Sequence, residues 1–219
     1  MTGMEVGRPR IAILGVGHVG SALARTMLDA SYEVAVAASG DPKKIELIAS
    51  VLMPGARAHW AKDAVADADI VVLAIPLHRF SSLDHRMFDG KIVIDTMNYW
   101  APTDGVQALF EDTPLSSSEV VQGALAGATV VKTFNHIGYH EMEEERRPAG
   151  SPDRRALGVA SDDPQVAALV GELVDAIGYE PIVLDGLAEG NAFEPGGPVF
   201  GARLTAPEFE RAVTVDAVA

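Results

Sequence analysis

Residues 10–20 of this chain are Arg10-Ile11-Ala12-Ile13-Leu14-Gly15-Val16-Gly17-His18-Val19-Gly20, a short apolar run that ends in three glycines with the spacing G-x-G-x-x-G. The apolar run predicts a buried strand. The segment after the glycines, Ser21 to Ala30, carries Leu23, Met27 and Leu28 at helical spacing. A strand, a glycine turn and a helix within about 30 residues form the context in which this spacing is typical of a dinucleotide-binding domain.

Each glycine of the turn has a separate physical role in such a domain. Gly15 permits the tight turn, Gly17 lets the backbone approach a pyrophosphate, and Gly20 allows close packing of helix against strand. The amino terminus of the following helix offers unpaired N–H groups and a partial positive charge to the phosphates. The alternative, a turn that serves only packing, is disfavoured by this context.

Apolar runs alternate with helical segments along most of the remaining chain. The further runs are Glu33 to Ala38, Asp69 to Ile75, Lys91 to Asp95, Thr129 to Phe134, Ala156 to Ala160 and Pro181 to Leu184. Strands that are apolar throughout are buried on both faces, which is typical of a parallel sheet covered by helices. We therefore predict an α/β fold with one Rossmann-type, doubly wound, mostly parallel sheet of five to seven strands and helices on both faces.

Two helix starts are marked by an aspartate followed by a proline. Asp41-Pro42 predicts a helix after the second strand. Asp163-Pro164 predicts a helix that runs to Ile177 and is closed by Gly178. Both helices fit the alternation of strand and helix in a doubly wound sheet.

Two segments depart from this alternation. Residues 141–155 carry a dense charged run followed by prolines and a glycine, which predicts a solvated helix end and a flexible loop. Residues 186–201 are rich in Gly and Pro and yet contain Phe193 and Phe200, which favours a lid or an interface.

The chain is therefore divided into two parts. Residues 1–185 form the predicted dinucleotide-binding Rossmann domain, and residues 186–219 form a small C-terminal extension made of the Gly/Pro-rich loop and a helix. We expect the extension to act as a lid or a dimer contact, with Phe193, Val199 and Phe200 as its apolar residues.

The composition disfavours several classes of protein. Lys and Arg total 17 against 31 Asp and Glu, a formal net charge of -14, so the chain shows no basic face for nucleic acid. Cysteine is absent, which removes disulfides, thiolate nucleophiles and cysteine-based metal sites, and we expect no bound metal.

Met1 to Arg10 has no apolar run of the signal-peptide kind, and no later run is long enough to span a bilayer. We therefore expect a cytoplasmic protein with neither a nucleic-acid nor a membrane partner.

The end of the second strand bears on the choice between NAD and NADP. NAD-binding domains usually place Asp or Glu there to hold the ribose 2'-hydroxyl, whereas this chain continues Ala38-Ser39-Gly40. Ser39 can donate a hydrogen bond to a 2'-phosphate, and Lys43 and Lys44 follow closely. Asp41 counts against a phosphate, but the balance favours NADP(H) as the cofactor.

Three later segments add a resemblance to a known family. They are Ala74-Ile75-Pro76, Asp95-Thr96-Met97-Asn98 and Val131-Lys132-Thr133-Phe134-Asn135-His136-Ile137-Gly138. With the glycine turn and the acid-free second strand, they make the chain, over roughly Ile11 to Leu184, resemble the NADP-dependent oxidoreductases of the coenzyme F420 family. The resemblance implies hydride transfer between NADPH and a deazaflavin, coenzyme F420, on a Rossmann domain with a small C-terminal extension, and assembly as a homodimer.

The resemblance also implies residues that contact the nucleotides, with Lys44 replacing the arginine that the family often has at the position of Gly40. His136 stands where many members have threonine. To these we add His78, at a strand end, where a solvated loop histidine is an equal alternative. The expected cofactor-binding residues are Gly15, Val16, Gly17, His18, Val19, Gly20, Ser39, Lys44, Ile75, Pro76, His78, Asn135 and His136.

Hydride transfer needs no catalytic triad, because the chemistry belongs to the cofactors while the protein orients two rings and excludes water. We therefore expect no obligatory catalytic residue, with Asn135 and His136 as assisting groups. Tyr99 and Trp100 are candidates to stack on a flat ring or to pack against the sheet edge. An anionic deazaflavin also needs a cationic patch, for which the candidates are Arg79, Arg146, Arg147, Arg154 and Arg155.

The sequence leaves the hydride acceptor open, because a fold does not name a substrate. An NADPH-dependent reductase of a flavin, ferric iron, an imine or a small carbonyl compound is the nearest alternative. A nonenzymatic NADP sensor is an alternative from a different class.

Overall fold

A single sheet organises the chain in the computed structural model, which describes residues 8–111 and 113–216. Its strands are β1 (Ile11–Leu14), β2 (Val34–Ala37), β3 (Arg57–Ala58), β4 (Ile70–Leu73), β5 (Ile92–Asp95), β6 (Thr129–Lys132), β7 (Ala156–Ala160) and β8 (Glu180–Leu184). They lie in the order β3-β2-β1-β4-β5-β6-β7-β8. All neighbouring pairs are parallel except β6 and β7. The predicted Rossmann-type, mostly parallel sheet is confirmed.

Helices connect most of these strands. They are α1 (His18–Asp29), α2 (Glu46–Leu52), α3 (Ala61–Asp67), α4 (Ala101–Asp104), α5 (Ala108–Glu111), α6 (Ser117–Ala124), α7 (Glu141–Glu144), α8 (Pro164–Ala176) and α9 (Ala206–Asp216). Short 3-10 helices add Pro42–Lys44, Leu77–Ser82, His85–Phe88 and Leu187–Phe193.

The alternation of side chains along the central strands divides the core into two layers. Ile11 and Ile13 of β1 pack in the layer that contains α1 and α8. Ala12 and Leu14 pack in the layer that contains α3 and α6. All four are buried. The strand has no solvated face, as its continuous apolar run predicts.

The two aspartate caps were placed correctly, but only one starts an α-helix. Asp163 accepts backbone N–H bonds from Gln165 and Val166 at the start of α8. Asp41 also accepts from a backbone N–H, that of Lys43, but the residues after it form the 3-10 helix Pro42–Lys44, and α2 begins only at Glu46. The predicted helix start at Pro42 is thus displaced by one turn.

The predicted number of strands, five to seven, is wrong by one at the upper end. Residues 8–111 and 113–216 contain eight strands. The one that the sequence did not indicate is β3, a two-residue strand that pairs with β2 at the edge of the sheet. Such a short edge strand carries no apolar run, because Arg57 is exposed and Ala58 is half-buried.

The charged segment of residues 141–155 is less solvated than its composition indicates. It begins with the short helix α7, but the two arginines at its end are buried, and the Arg155 side chain is only 1% exposed. Arg155 pairs with Glu141 and Glu145, both at 2.6 Å. The prediction of a solvated segment is therefore wrong for Arg154 and Arg155, because partners from the fold replace the water around their guanidinium groups.

The C-terminal segment is anchored on the sheet by an aromatic cluster. Phe193, Val199 and Phe209 are buried together with Ala156 and Ala160 of β7. A Cβ at Gly158 of β7 would overlap the Phe193 and Phe209 rings, so the glycine makes room for them. Two of the apolar residues expected to face a partner are thus covered within the chain, whereas Phe200 is partly exposed.

The division at residue 185 stays a prediction, as does the lid or dimer role of the extension. The signal-peptide prediction for Met1 to Arg10 falls largely on residues 1–7, outside the described residues. The first residues of one predicted domain and the last residues of the other, 1–7 and 217–219, also lie outside them. No helix among the described residues combines the length and the apolar character that crossing a bilayer requires.

Candidate functional site

The site is built where parallel strands end on one edge of the sheet. Because β1, β2, β4, β5 and β6 are parallel, the loops that follow them meet at that edge. These loops carry most of the residues that the sequence singled out, from the glycine turn after β1 to Asn135 after β6.

The geometry of the glycine turn matches the roles expected for its three glycines. Gly15 has φ of 113°, and a Cβ there would clash with the carbonyl group of Ala74. A Cβ at Gly20 would clash with the carbonyl oxygen of Gly15. Around Gly17, by contrast, a Cβ would meet nothing within 4 Å. Gly17 is also the N-cap of α1, so the open space lies at a helix start, whose free N–H groups suit a phosphate.

One flank of the turn opens into a cavity of about 570 Å³ between β1, β2 and β4. Ser39, Ile75 and Pro76, predicted to contact the cofactor, line it together with Gly15. Its size and its position beside the second strand suit the adenosine half of a dinucleotide. We call it the adenosine-side cavity.

Three side chains of the adenosine-side cavity are not indicated as cofactor contacts by the sequence. Trp60, Lys62 and Arg79 line it, the first two at the start of α3 and the third in the 3-10 helix after β4. No nucleotide motif includes these positions. The packing of α3 against β1 and β2 brings Trp60 and Lys62 to the cavity, and Arg79 reaches it from the loop after β4. Lys44, which the resemblance proposed, is exposed and is not among the residues lining the cavity.

The other flank of the turn opens into a second cavity, of about 660 Å³, which we call the turn-side cavity. Val16, Gly17 and His18 form one wall and Tyr139, from the loop after β6, lies opposite. The His18 and Tyr139 rings stack with centroids 4.6 Å apart and planes 13° apart. The turn and the β6 loop thus meet through a flat aromatic contact. Val19, the remaining residue of the turn, is half-buried.

Two asparagines lock the ends of β5 and β6 together. Asn135 Nδ2 donates to Asn98 Oδ1 at 2.9 Å and to the Phe193 carbonyl at 2.6 Å. Asn98 Nδ2 donates to the Asn135 carbonyl at 2.8 Å. Both donor positions of Asn135 are therefore used within the protein, while the half-buried Asn98 retains one amide hydrogen. In the sequence, Asn98 belongs to a segment that resembles the family but is not among the expected site residues.

His136 lies in the protein interior and not in a crevice. Its side chain is 2% exposed and packs against the Phe193 ring, with centroids 4.8 Å apart. Gly158 N–H donates to Nε2 at 3.1 Å, so the neutral ring carries its proton on Nδ1 and donates to Asn135 Oδ1 at 3.2 Å. Burial, aided by the charges of Arg155 and Lys132, lowers the pKa of His136 to about 3.

These contacts correct the assisting role expected of His136. A neutral imidazole whose two nitrogens are both engaged, and which is shielded from water, cannot exchange protons with a substrate. The ring instead fixes the Asn135 side chain. That function is structural, and the sequence could not show it because β7 and Phe193 are remote in the chain.

His78 is attached to the loop after β5. Its Nδ1 lies 3.0 Å from Asp104 Oδ1, and the other oxygen of Asp104 accepts from the Trp100 backbone N–H at 3.0 Å. Burial raises the pKa of Asp104, but the hydrogen bonds from His78 and Trp100 outweigh it and lower that pKa below its usual value. His78 therefore positions this loop, whether or not it also contacts a ligand.

The two aromatic residues of the same loop differ in exposure. The Tyr99 ring stacks on Phe110, with centroids 5.6 Å apart, and its hydroxyl donates to Glu111 at 2.7 Å. Trp100 is about half exposed. Tyr99 thus packs internally, and only Trp100 keeps a free surface on which a ring could stack.

A buried lysine, Lys132, stabilises the same edge of the sheet. Lys132 Nζ donates to the Met97 carbonyl at 2.6 Å and lies 3.3 Å from both Asp95 and Ser117. Glu194, from the C-terminal segment, lies 3.8 Å away. The sequence carries a signal for this cluster, since Asp95 ends one otherwise apolar run and Lys132 interrupts another.

The arginines expected to receive an anionic acceptor do not form a cluster. Four of them pair with carboxylates: Arg146 with Asp29, Arg147 with Asp153, Arg154 with Asp175 and Glu180, and Arg155 with Glu141 and Glu145. Only Arg79 lines one of the two cavities beside the turn. The predicted cationic patch is therefore wrong for the other four, whose charges are already balanced.

A glycine turn between two cavities, at the carboxyl ends of parallel strands, defines a dinucleotide-binding domain. Residues 10–99 match the family described as NADP oxidoreductase, coenzyme F420-dependent. The resemblance inferred from the motifs is thereby confirmed over residues 10–99, and this match supports an NAD(P)-dependent oxidoreductase.

Solved structures share the fold of this chain. The hypothetical protein SMa0349 from Sinorhizobium meliloti is 28% identical, with a TM-score of 0.76 over 89% of this chain and 94% of that one. A candidate F420-dependent NADP-reductase from Arthrobacter sp. FB24 is 25% identical, with a TM-score of 0.66 over 82% of this chain and 86% of that one. An imine reductase from Pseudomonas sp., 17% identical with a TM-score of 0.56 over 83% of this chain and 58% of that one, shares the fold. Among proteins with curated functions, none matches this chain.

Proposed function

We propose that the protein is an NADPH-dependent reductase that transfers a hydride to a deazaflavin of the coenzyme F420 type. The observation that carries the proposal is the Gly17 position, open to a phosphate at the start of α1 and flanked by two cavities. The family domain over residues 10–99 supports both the cofactor and the acceptor.

The residues present fit a dinucleotide in one orientation. Ser39 and the walls formed by Ile75 and Pro76 suit the adenosine half, and Gly17 with the first N–H groups of α1 suits the pyrophosphate. The nicotinamide end would then lie over the loops after β4, β5 and β6. When bound, NADPH supplies the hydride.

The protein's own part in the reaction is to orient two rings and to exclude water. Asn98 and Asn135 hold the β5 and β6 loops in one arrangement through two side-chain hydrogen bonds, and a third joins Asn135 to the Phe193 carbonyl. Asn98 offers its remaining amide hydrogen to a carboxamide. The stacked rings of His18 and Tyr139 provide a flat wall for an acceptor ring. None of these groups needs to change its protonation state.

A second candidate is a reductase of a small uncharged acceptor such as an imine or a carbonyl compound. The observation in its favour is the pairing of Arg146, Arg147, Arg154 and Arg155 with carboxylates, which leaves them without free charge for an anionic acceptor tail. The experiment below separates the two candidates.

The test is oxidation of NADPH by the purified protein, followed by absorbance, with coenzyme F420, FMN, a cyclic imine or a small aldehyde as acceptor. We expect turnover with NADPH and F420, slower turnover with NADH, and little with FMN. Turnover with the imine or aldehyde alone would establish the second candidate. Tight NADPH binding without turnover of any acceptor would instead favour a sensor.

We also propose that the working form is a homodimer, as the family resemblance implies. Helix α2 exposes four large apolar side chains, which supports an interface there: Leu47, Ile48, Val51 and Leu52. Light scattering after size exclusion is expected to give twice the monomer mass of 23.1 kDa. A mass equal to that of the monomer at micromolar concentration would contradict this.

A further inference from the structure

The adenosine-side cavity concentrates positive charge in an acidic protein. Of the described residues that line it, Lys62 and Arg79 are cationic and none is acidic, although the chain as a whole has a net charge of -14. Both side chains are exposed, and within the described part of the chain neither forms an ion pair. Two cations kept clear of carboxylates beside Ser39 form a site for an anion.

The lysines that follow Ser39 in sequence are less suitable for this role. Lys43 and Lys44 lie in the 3-10 helix after Asp41 and do not line the cavity. Gly40, between Ser39 and Asp41, has φ of 102° and brings no side chain of its own. The edge of the cavity next to the second strand therefore supplies a hydroxyl but no charge.

Lys62 and Arg79 approach from two other elements. Lys62 is the second residue of α3. Arg79 is in the 3-10 helix that follows Pro76. A guanidinium can bind two phosphate oxygens at once, and an ammonium adds a mobile point charge.

The half-exposed Trp60 adds an aromatic surface to the same cavity. It is the N-cap residue of α3, two residues before Lys62, and the apolar walls formed by Ile75 and Leu83 belong to the same cavity. An exposed indole bordering a cavity of this kind suits a purine ring, which stacks on aromatic faces. The cavity therefore combines a surface for adenine with a site for an anion close to Ser39.

We propose that Lys62 and Arg79, together with Ser39, bind the 2'-phosphate of the adenosine ribose and thereby determine the preference for NADP over NAD, while Trp60 stacks on the adenine. This inference rests on the proposed function, because it places the adenosine half of NADPH in the adenosine-side cavity. The sequence suggested that Lys44, in the loop after β2, determines the preference for NADP. The proposal instead assigns this role to residues of α3 and of the loop after β4.

The test measures the dissociation constants of NADPH and NADH by calorimetry for Lys62→Met, Arg79→Met and the double variant. Methionine keeps most of the apolar stem and removes the charge. Lys44→Met is the matched control, because Lys44 is an exposed cation near Ser39 in the chain but outside the cavity. Trp60→Leu tests the adenine contact.

The expected result is a selective loss. Lys62→Met and Arg79→Met each weaken NADPH about tenfold or more, since each loses a charge-assisted hydrogen bond, and change NADH by less than about twofold. Lys44→Met leaves both constants unchanged within about twofold. Trp60→Leu weakens NADPH and NADH by equal factors.

Three outcomes would overturn the inference. If Lys44→Met alone removes the preference, the 2'-phosphate is bound from the loop after β2. If Lys62→Met and Arg79→Met weaken both nucleotides equally, these cations serve the pyrophosphate. If wild-type protein binds NADPH tightly and both variants bind it as tightly, the cations have no part in binding. Failure of the wild-type protein to bind either nucleotide would instead refute the proposed function itself.

Discussion

Gly17 and Gly20 are both required by the dinucleotide motif, but for different physical reasons. Gly20 is constrained by the fold, because a methyl group there would overlap the carbonyl oxygen of Gly15. Gly17 has an ordinary φ of -75° and open space around its missing side chain, so the fold alone would accept alanine. What the methyl group would occupy is the space in which we place the pyrophosphate.

We therefore predict that alanine weakens NADPH binding at position 17 and lowers the stability of the fold at position 20. Gly17→Ala should weaken NADPH binding at least about tenfold by calorimetry, while changing the free energy of unfolding in urea by about 0.5 kcal/mol or less. Gly20→Ala should destabilise the protein by about 1–3 kcal/mol through overpacking. Unchanged NADPH affinity of Gly17→Ala would remove the pyrophosphate from this turn.

At the level of secondary structure, the C-terminal segment acts as part of the sheet's support. The Phe193 ring packs against His136, and its carbonyl accepts from Asn135. Glu194, the next residue, accepts from the backbone N–H and the hydroxyl of Ser117, at 3.1 and 2.6 Å. The segment that resembled a lid in the sequence thus braces the loops after β5 and β6.

Alanine substitutions at Phe193 and Phe200 should distinguish a residue that supports the sheet from one that lies at the surface. Phe193→Ala removes a buried ring and should cost about 3–5 kcal/mol of stability in urea denaturation. Phe200→Ala, at a partly exposed ring, should cost about 1 kcal/mol or less in the monomer. Equal costs at the two positions would show that Phe193 is not buried as described.

The elements that the sequence predicted are those whose signal is local. Runs such as Ile11 to Leu14 and caps such as Asp163 depend on residues next to each other in the chain, and these predictions are confirmed. The two-residue strand β3 has no pattern of its own and exists only because β2 offers it an edge. The burial of Arg155 depends on Glu141 and Glu145 being brought to it by the fold.

At the scale of the whole molecule, the sequence predicted the class of fold but not how distant parts meet. The antiparallel pairing of β6 and β7 and the resulting place of His136 next to Gly158 follow from the direction in which the chain returns to the sheet. The contribution of Lys62 and Trp60 to the adenosine-side cavity likewise depends on the position of α3. Such contacts join residues far apart in the chain, for which periodicity and motif spacing carry no information.

The burial of a neutral histidine has a consequence for the stability of the entire protein. In the folded chain the pKa of His136 is about 3, whereas its ordinary value is 6.5. Below pH 6.5 the unfolded chain therefore binds a proton that the folded chain does not bind, and unfolding becomes more favourable as the pH falls. This single group should reduce the free energy of unfolding by about 1.4 kcal/mol for each pH unit below that value.

Between pH 6.5 and about 5, the effect of His136 on the free energy of unfolding can be measured apart from the effect of the carboxylates. Asp104 and Glu141, whose pKa values the fold lowers, are ionised in both states in that interval and lose their contribution only at lower pH. We expect urea denaturation to show a loss of up to about 2 kcal/mol between pH 6.5 and 5 in the wild-type protein. His136→Gln, whose amide oxygen can still accept from Gly158 N–H, should lack this contribution to the pH dependence. If the variant does not fold, NMR titration of the wild-type imidazole decides the question, because a ring that titrates near pH 6.5 in the folded state would contradict its burial as a neutral group.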